Sequence, residues 1–202
     1  MYKLFFDISV TFQNIEIFIY KLTNLIKDIM NYFETNEKQD LKMLLTFNNA
    51  AHIFKEVGAT PQYHHSDATA QTVTQFGEVR KFNIELKRRN LTLQPNGTVM
   101  GEHFTADTIF IESHKACDLI MDNIMGYEPL YVNFLNDGIV MIFNLNKLTK
   151  RPKKEKKIIK SRGYNQMEVA ARQGLYIKDA AIYKNNKLIK RCGEEWKIKK
   201  GS

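Results

Sequence analysis

The chain has 202 residues, of which 44% are hydrophobic and 26% are charged, which fits a folded globular protein and argues against a disordered one. The charge is uneven, because residues 1–148 carry a net charge of −4 and residues 149–202 carry +12. A basic tail favours a polyanionic partner, since neutralised phosphates release counterions, although a tail that only keeps the protein in solution has the same composition.

The first segment with a clear period is apolar at helical spacing and predicts an amphipathic helix over residues 14–33. Asp7, Glu16 and Lys21 interrupt any apolar run long enough to cross a membrane, so we expect no membrane partner. This helix is the first place to look for the contact of a homodimer. The two cysteines show no disulfide or metal-ligand pattern, which favours a reducing, cytoplasmic setting.

The elements that follow alternate between helical and strand patterns. In chain order they are a helix over 39–57 ended by Gly58, strands 67–76 and 79–87 around Gly77, an irregular stretch 90–105, a strand 108–111, a helix 114–125, strands 130–135 and 139–145 joined by Asn136-Asp137-Gly138, and a solvated loop 148–162. This order predicts an α/β fold with a central mixed β-sheet flanked by helices. We expect three parts: an N-terminal helical segment 1–38, a core 39–147 and a basic C-terminal extension 148–202.

The second strand of the hairpin alternates cleanly. Its odd positions, Asn83, Glu85 and Lys87, are polar and share one face. A turn centred on Gly77 pairs residues whose numbers add to about 154, which sets Asp67 opposite Lys87 and Thr69 opposite Glu85. Diagonal neighbours across two strands lie about 7–8 Å apart, so Asp67 and Glu85 could share a divalent cation.

Two carboxylates suit Mg²⁺ or Mn²⁺, which prefer oxygen ligands and keep several waters. Lys87 lies two residues beyond the second carboxylate and reaches the same face. An ammonium there can position an attacking water or stabilise charge on a phosphate. This is the set of groups needed to hydrolyse a phosphodiester bond, although a surface hairpin with a solvated Glu–Lys pair has the same pattern.

Asp67 followed by Glu85-Leu86-Lys87 resembles the D…ExK signature of the PD-(D/E)xK nuclease superfamily. The resemblance implies a restriction-endonuclease-like core, made of a helix, a three-strand meander, a helix and a further strand, over about residues 40–145. It also implies that Asp67, Glu85 and the Leu86 carbonyl hold the metal, that Lys87 is catalytic, and that Glu56 is a candidate additional acid. The family's usual proline before the aspartate is replaced here by Ser66.

The ExK tripeptide also occurs at Glu155 and at Glu195, but neither has an acid placed across a turn. Basic side chains near the predicted site are candidates for contact with nucleic acid: Arg88, Arg89, His114, Lys115, Lys153, Lys154, Lys156 and Lys157. For His114 and Lys115 an equally good interpretation is that Ser113 caps the second helix and both are ordinary first-turn residues.

Three functions fit these features. The chain is expected to be a metal-dependent endonuclease that acts on DNA. The alternatives are a non-catalytic nucleic-acid-binding protein on the same fold, and an interaction protein whose basic tail meets an acidic protein surface.

Overall fold

A computed structural model describes residues 38–60, 66–150, 152–160 and 167–196. Over residues 153–160 and 167–170 it describes the main-chain pairing but not the side chains. The chain divides into two compact units, Met1–Gln39 and Asp40–Ser202. The predicted helix over 14–33 lies outside the described residues. None of the helices in the described part of the chain is long and apolar enough to cross a membrane.

The second unit is built on a seven-stranded mixed sheet. Its strands are β1 Glu56–Ala59, β2 Ala68–Val73, β3 Val79–Arg88, β8 Tyr127–Phe134, β9 Ile139–Asn144, β12 Ala180–Lys184 and β13 Lys187–Lys190. They lie in the order β1-β2-β3-β8-β9-β12-β13, where β3 and β8 run parallel and every other neighbouring pair is antiparallel. The predicted class, a mixed sheet flanked by helices, is confirmed.

Two smaller sheets complete the unit. One has the order β10-β11-β7, with β7 Thr108–Glu112, β10 Lys153–Lys160 and β11 Met167–Tyr176. The other joins β4 Thr92–Leu93, β5 Val99–Gly101 and β6 Phe104–Ala106. Helix α1 covers residues 38–51, and α2 covers Ser113–Met121, followed by short 3-10 helices at Asp122–Met125 and, later in the chain, at Ile177–Asp179.

Each face of the main sheet is covered by a separate apolar cluster. On one side Leu44 and Phe47 of α1 pack with the even residues of β3: Phe82, Ile84 and Leu86. On the other side Leu119 of α2 packs with residues of β7, β8, β9 and β11, among them Ile109, Ile111, Tyr131, Met141, Phe143 and Leu175. The odd residues of β3 face this second side, as their alternation predicts.

The predicted helix 39–57 is wrong at its end, because α1 stops at residue 51. His52 has a positive φ of 52°, and the Asn48 side chain bonds to both main-chain groups of Phe54, at 2.8 and 3.0 Å. These bonds replace the helical ones and turn the chain into β1. Gly58, predicted to end the helix, lies within β1.

The predicted pairing of the β2–β3 hairpin is wrong by two residues. Thr69 pairs with Asn83, so partner numbers add to 152. The connection is wider than a tight turn, because Thr74 N–H donates to the Glu78 carbonyl (2.9 Å) and Gly77, at φ 83°, donates to Thr74 (2.9 Å). Continuing this register beyond Ala68 sets Asp67 opposite Glu85 instead of Lys87.

The solvated loop predicted for 148–162 is also wrong over Lys153–Lys160, which forms β10. This strand pairs with β11, which in turn pairs with β7. The run of lysines shows no alternation of polar and apolar residues, but main-chain pairing with the next strand does not depend on such alternation. The basic C-terminal part therefore contributes β12 and β13 to the main sheet, and β10 and β11 to the three-stranded sheet that contains β7.

Candidate active site

Glu85 lies near the C-terminal end of β3 on the α2 side of the sheet, and only 2% of it is exposed. Its neighbours in β3, Ile84 and Leu86, point into the opposite apolar cluster, so alternation alone turns the carboxylate inward. Tyr131 of β8 lies beside it in register. A buried carboxylate needs compensating partners, because desolvation disfavours its charged form.

Asp67, directly before β2, is held against the same segment. Its main-chain N–H donates to the Ile84 carbonyl (2.9 Å), and its Oδ2 accepts from the Leu86 N–H (2.6 Å). Asp67 therefore binds the main chain on both sides of Glu85. The structure brings these two predicted acids together.

Lys115, in the first turn of α2, forms an ion pair with Oε1 of Glu85. Burial and the nearby Asp67 raise the pKa of Glu85 to about 7, and Lys115 and Lys87 only partly oppose this rise. Although burial alone would lower the pKa of Lys115, its contact with Glu85 raises that pKa overall. The ammonium thus stays charged while the carboxyl titrates near neutral pH.

A cavity of about 150 Å³ opens beside this pair. Lys87 is exposed and lies on its wall, as do residues of β7, β8, α2 and β11. Its lining residues are Glu85, Lys87, Arg89, Phe110, Ile111, Glu112, Lys115, Tyr131 and Arg172. Four of these are cationic and two are acidic, so the cavity has the charge to receive an anion next to the buried carboxylate.

Arg89 is a structural part of this cavity. Its guanidinium donates to Asn133 Oδ1 (2.7 Å), to the Tyr131 hydroxyl (2.5 Å) and to the Phe110 carbonyl. The Tyr131 hydroxyl also donates to the Phe110 carbonyl (3.0 Å). These bonds, made by Nε and Nη2, join the end of β3 to β8 and β7, so Arg89 positions the strands around Glu85.

Arg88 forms an ion pair with Asp40 of α1. Burial raises the pKa of Asp40, and the negative charge of Asp67 adds to this, while Arg88 opposes it. The acid that α1 brings nearest to Asp67 is thus Asp40. Glu56, the predicted additional acid, lies on β1 opposite Gln71 and accepts a bond from its side chain, three register positions from Ala68. The structure does not bring Glu56 to this site.

The other basic residues predicted to contact nucleic acid lie on α2 and on β10. His114 is exposed, with its imidazole 3.5 Å from Glu112. Helix α2 begins at Ser113, with Glu112 at the cap position and no side-chain capping bond there. Lys153, Lys154, Lys156 and Lys157 lie on β10 at the register positions of Gly174, Gln173, Ala171 and Ala170.

Sequence reasoning did not single out Tyr131, Asn133 or Arg172 as part of the site. The first two are polar residues within an apolar strand, LYVNFL, and that signal could have marked them. Arg172 reaches the cavity only through the pairing of β11 with β7, which local patterns do not indicate.

The donor set fits a hard divalent cation in part. Within the described residues no group of three or more His, Cys, Asp or Glu side chains could hold a metal. Glu85 Oε2, however, is buried and has no hydrogen-bond partner there, and Asp67 lies beside it. Two carboxylates and a main-chain carbonyl suit Mg²⁺, which keeps several waters as its other ligands.

The sequence matches no protein-family model and no curated protein. Among solved structures it is similar to Hjc, a Holliday junction resolvase from the archaeal hyperthermophile Archaeoglobus fulgidus, at 14% identity and a TM-score of 0.37. The match covers 71% of this chain and 90% of that one. Because identity and structural overlap are both low, we infer the chemistry of this chain from its own side chains and not from this similarity.

Proposed function

We propose that this chain is a Mg²⁺-dependent endonuclease that hydrolyses phosphodiester bonds in DNA. The observation that carries the proposal is the buried Glu85, which has Asp67 beside it and one carboxylate oxygen without a hydrogen-bond partner in the described part of the chain. A buried, partly unsatisfied carboxylate next to a second acid is costly for folding alone. Such a cost is expected where the group serves a function.

Asp67, Glu85 and the Leu86 carbonyl would hold Mg²⁺ or Mn²⁺. When bound, the cation supplies charge stabilisation at the phosphate and activates water. The protein's part is to present both carboxylates to one space from two bonded strands, and the bond from Leu86 N–H to Asp67 fixes the orientation of that carboxylate.

The cationic side chains of the cavity have separate roles in this proposal. Lys87 is exposed on the cavity wall, where it can donate to the attacking water or to a phosphate oxygen. Arg172 lines the same cavity and can bind a neighbouring phosphate oxygen. Arg89 is bonded to three acceptors and acts as a positioning residue.

The order of elements also supports the proposal. Helix α1, the antiparallel meander β1-β2-β3, helix α2 and β8 come in this chain order, with β4 to β7 inserted between β3 and α2, and β8 returns parallel to β3. This is the order that the resemblance in the sequence implies, and it puts the ExK residues on the third strand, beside the strand that Asp67 precedes.

A second function is favoured by one observation, the ion pair of Lys115 with Glu85. If that pair is purely structural, the chain is a nucleic-acid-binding protein without catalysis. It would then bind DNA in a salt-sensitive way, but no divalent cation would support cutting.

A cleavage assay separates the two. We expect the purified chain to cut plasmid, single-stranded or branched DNA with Mg²⁺ or Mn²⁺ but not with EDTA. Glu85→Gln, Asp67→Asn and Lys87→Ala should each slow cutting by about a hundredfold or more. Glu78→Gln is the matched control, because Glu78 is exposed at the far end of the β2–β3 hairpin, and it should cut like the wild type. Undiminished cutting by Glu85→Gln or Lys87→Ala, or no metal-dependent cutting of any substrate, would overturn the proposal.

A further inference from the structure

The paired strands β7 and β11 have one face turned away from the core. On the core side Ile109, Ile111 and Leu175 are buried, each at 2% exposure or less. Alternation therefore puts Phe110, Arg172 and Tyr176 on the other face. This face starts at the candidate active site, because Arg172 and Phe110 line the cavity that contains Glu85.

Two cations on this face lie over aromatic rings. The guanidinium of Arg172 is 3.8 Å from the centre of the Phe110 ring, and the Lys150 ammonium is 5.4 Å from that of Tyr176. We call these four residues the cation–aromatic strip. Arg172 and Tyr176 are four residues apart on one strand, so the strip is about 13 Å long at 3.3 Å per residue.

The far end of the strip opens into a second cavity of about 270 Å³. Tyr176 and Lys150 line it together with Trp196, Lys178 and the loop Asn96–Thr98. Asp107 and Lys190 also line it, so the cavity combines two aromatic side chains with three ammonium groups and one carboxylate. Trp196 also packs against the core cluster on the α2 side, and Lys190 donates to three main-chain carbonyls, but the proposed metal site uses none of these groups.

Trp196 is held in place by the turn before β5. Its indole N–H donates to the Pro95 carbonyl. The ring lies against Gly97, where an added Cβ would come within 2.7 Å of Trp196 Cγ, and Gly97 also has a positive φ of 83°. The aromatic wall of the cavity is thus set by a position where only glycine fits without strain.

We propose that the cation–aromatic strip and the second cavity at its far end bind a single-stranded segment of nucleic acid running from the catalytic cavity, with one base stacked against Tyr176 or Trp196. Rings that stack on bases and cations that follow the backbone are the two features of single-strand binding sites. A base inside a duplex has its faces covered by its neighbours, so the concave second cavity selects an unpaired base. This inference rests on the proposed nuclease function only where it places the start of the strand at the cavity that contains Glu85.

The strip is tested by fluorescence anisotropy with labelled single-stranded dT12 and a duplex of the same length, with the full chain in EDTA so that nothing is cut. We expect Tyr176→Leu and Trp196→Leu each to weaken dT12 binding by about tenfold or more, and duplex binding by much less. Tyr176→Phe and Trp196→Phe keep a ring and should retain most of the affinity. Phe76→Leu is the matched control, because Phe76 is 83% exposed on the β2–β3 turn and should bind like the wild type.

Lys150→Gln should in addition reduce the slope of log affinity against log salt by about 0.7, the value for one phosphate contact on a single strand. Equal dT12 affinity of the folded wild type, Tyr176→Leu and Trp196→Leu would overturn the strip, as would undetectable binding by the wild type. If those variants bind equally while the wild type cuts DNA, the nuclease proposal stands and the strip fails. If they lose dT12 affinity while no metal supports cutting, the strip stands and the nuclease proposal fails.

Discussion

Lys115, in the first turn of α2, forms an ion pair with Glu85, the buried carboxylate of β3. The pair joins the helix to the strand and gives Glu85 an internal cation. A divalent cation bound at Asp67 and at Oε2 of Glu85, as proposed above, would therefore lie close to an ammonium that the protein itself supplies and would be repelled by it.

This repulsion predicts the effect of Lys115→Gln on metal binding. At pH 9 the Glu85 carboxyl is ionised, and in the variant no neighbouring ammonium repels the cation. We expect calorimetry to show Mg²⁺ binding tighter by roughly tenfold, equivalent to one pK unit of electrostatic interaction. Equal or weaker binding by the folded variant would show that the Lys115 ammonium does not oppose the metal.

The pKa of Glu85 predicts how stability depends on pH. Burial and Asp67 raise this pKa from 4.5 to about 7, so between these values the folded chain binds more protons than the unfolded chain. The free energy of unfolding therefore falls as pH rises through this window, by on the order of 3 kcal/mol from this group.

Glu85→Gln should remove that fall. In urea titrations with EDTA, the variant should gain stability relative to the wild type between pH 5 and pH 8, whereas Glu78→Gln should not. The same difference between Glu85→Gln and the wild type at both pH values would contradict the raised pKa.

The position of Glu56 predicts that it takes no part in cutting. It lies on β1 opposite Gln71, away from Asp67. Glu56→Gln should therefore change the rate of DNA cleavage by no more than about twofold, the effect of an ordinary surface change. A loss as large as that of Asp67→Asn, which we expect to exceed about a hundredfold, would place Glu56 in the site after all.

The bonds of Arg89 predict a cost for Arg89→Lys. A lysine keeps the charge but cannot donate to Asn133, Tyr131 and Phe110 together, because those bonds need the guanidinium fork. We expect the free energy of unfolding to fall by about 2 kcal/mol in a denaturant titration. Arg191→Lys, at an exposed position, is the control. A variant as stable as the wild type would mean that the bonds of Arg89 do not stabilise the strands around the cavity.

Local pattern was sufficient to predict the strands that carry the site. The alternation of residues 82–87 follows from a strand with two different faces, and Asp137 and Gly138, with φ of 59° and 65°, form the turn that their sequence predicts. The register of the β2–β3 hairpin was not predictable, because it depends on a wider turn that residues 74–78 do not indicate by their sequence.

Features that depend on contacts between residues distant in sequence were also not predicted. β10 pairs with β11, and the pairing of β11 with β7 brings Arg172 to the cavity. Lys115 was predicted as a contact to nucleic acid, but its ion pair with Glu85 depends on where α2 packs on the sheet. Local propensity does not encode either relationship.

The most direct measurement of the central claim is an anomalous difference map from a crystal of the protein soaked in Mn²⁺. We predict one strong peak within bonding distance of carboxylate oxygens of both Asp67 and Glu85, and its loss in Asp67→Asn crystals treated in the same way. A map with no peak there, or with Mn²⁺ bound by neither carboxylate, would contradict the account.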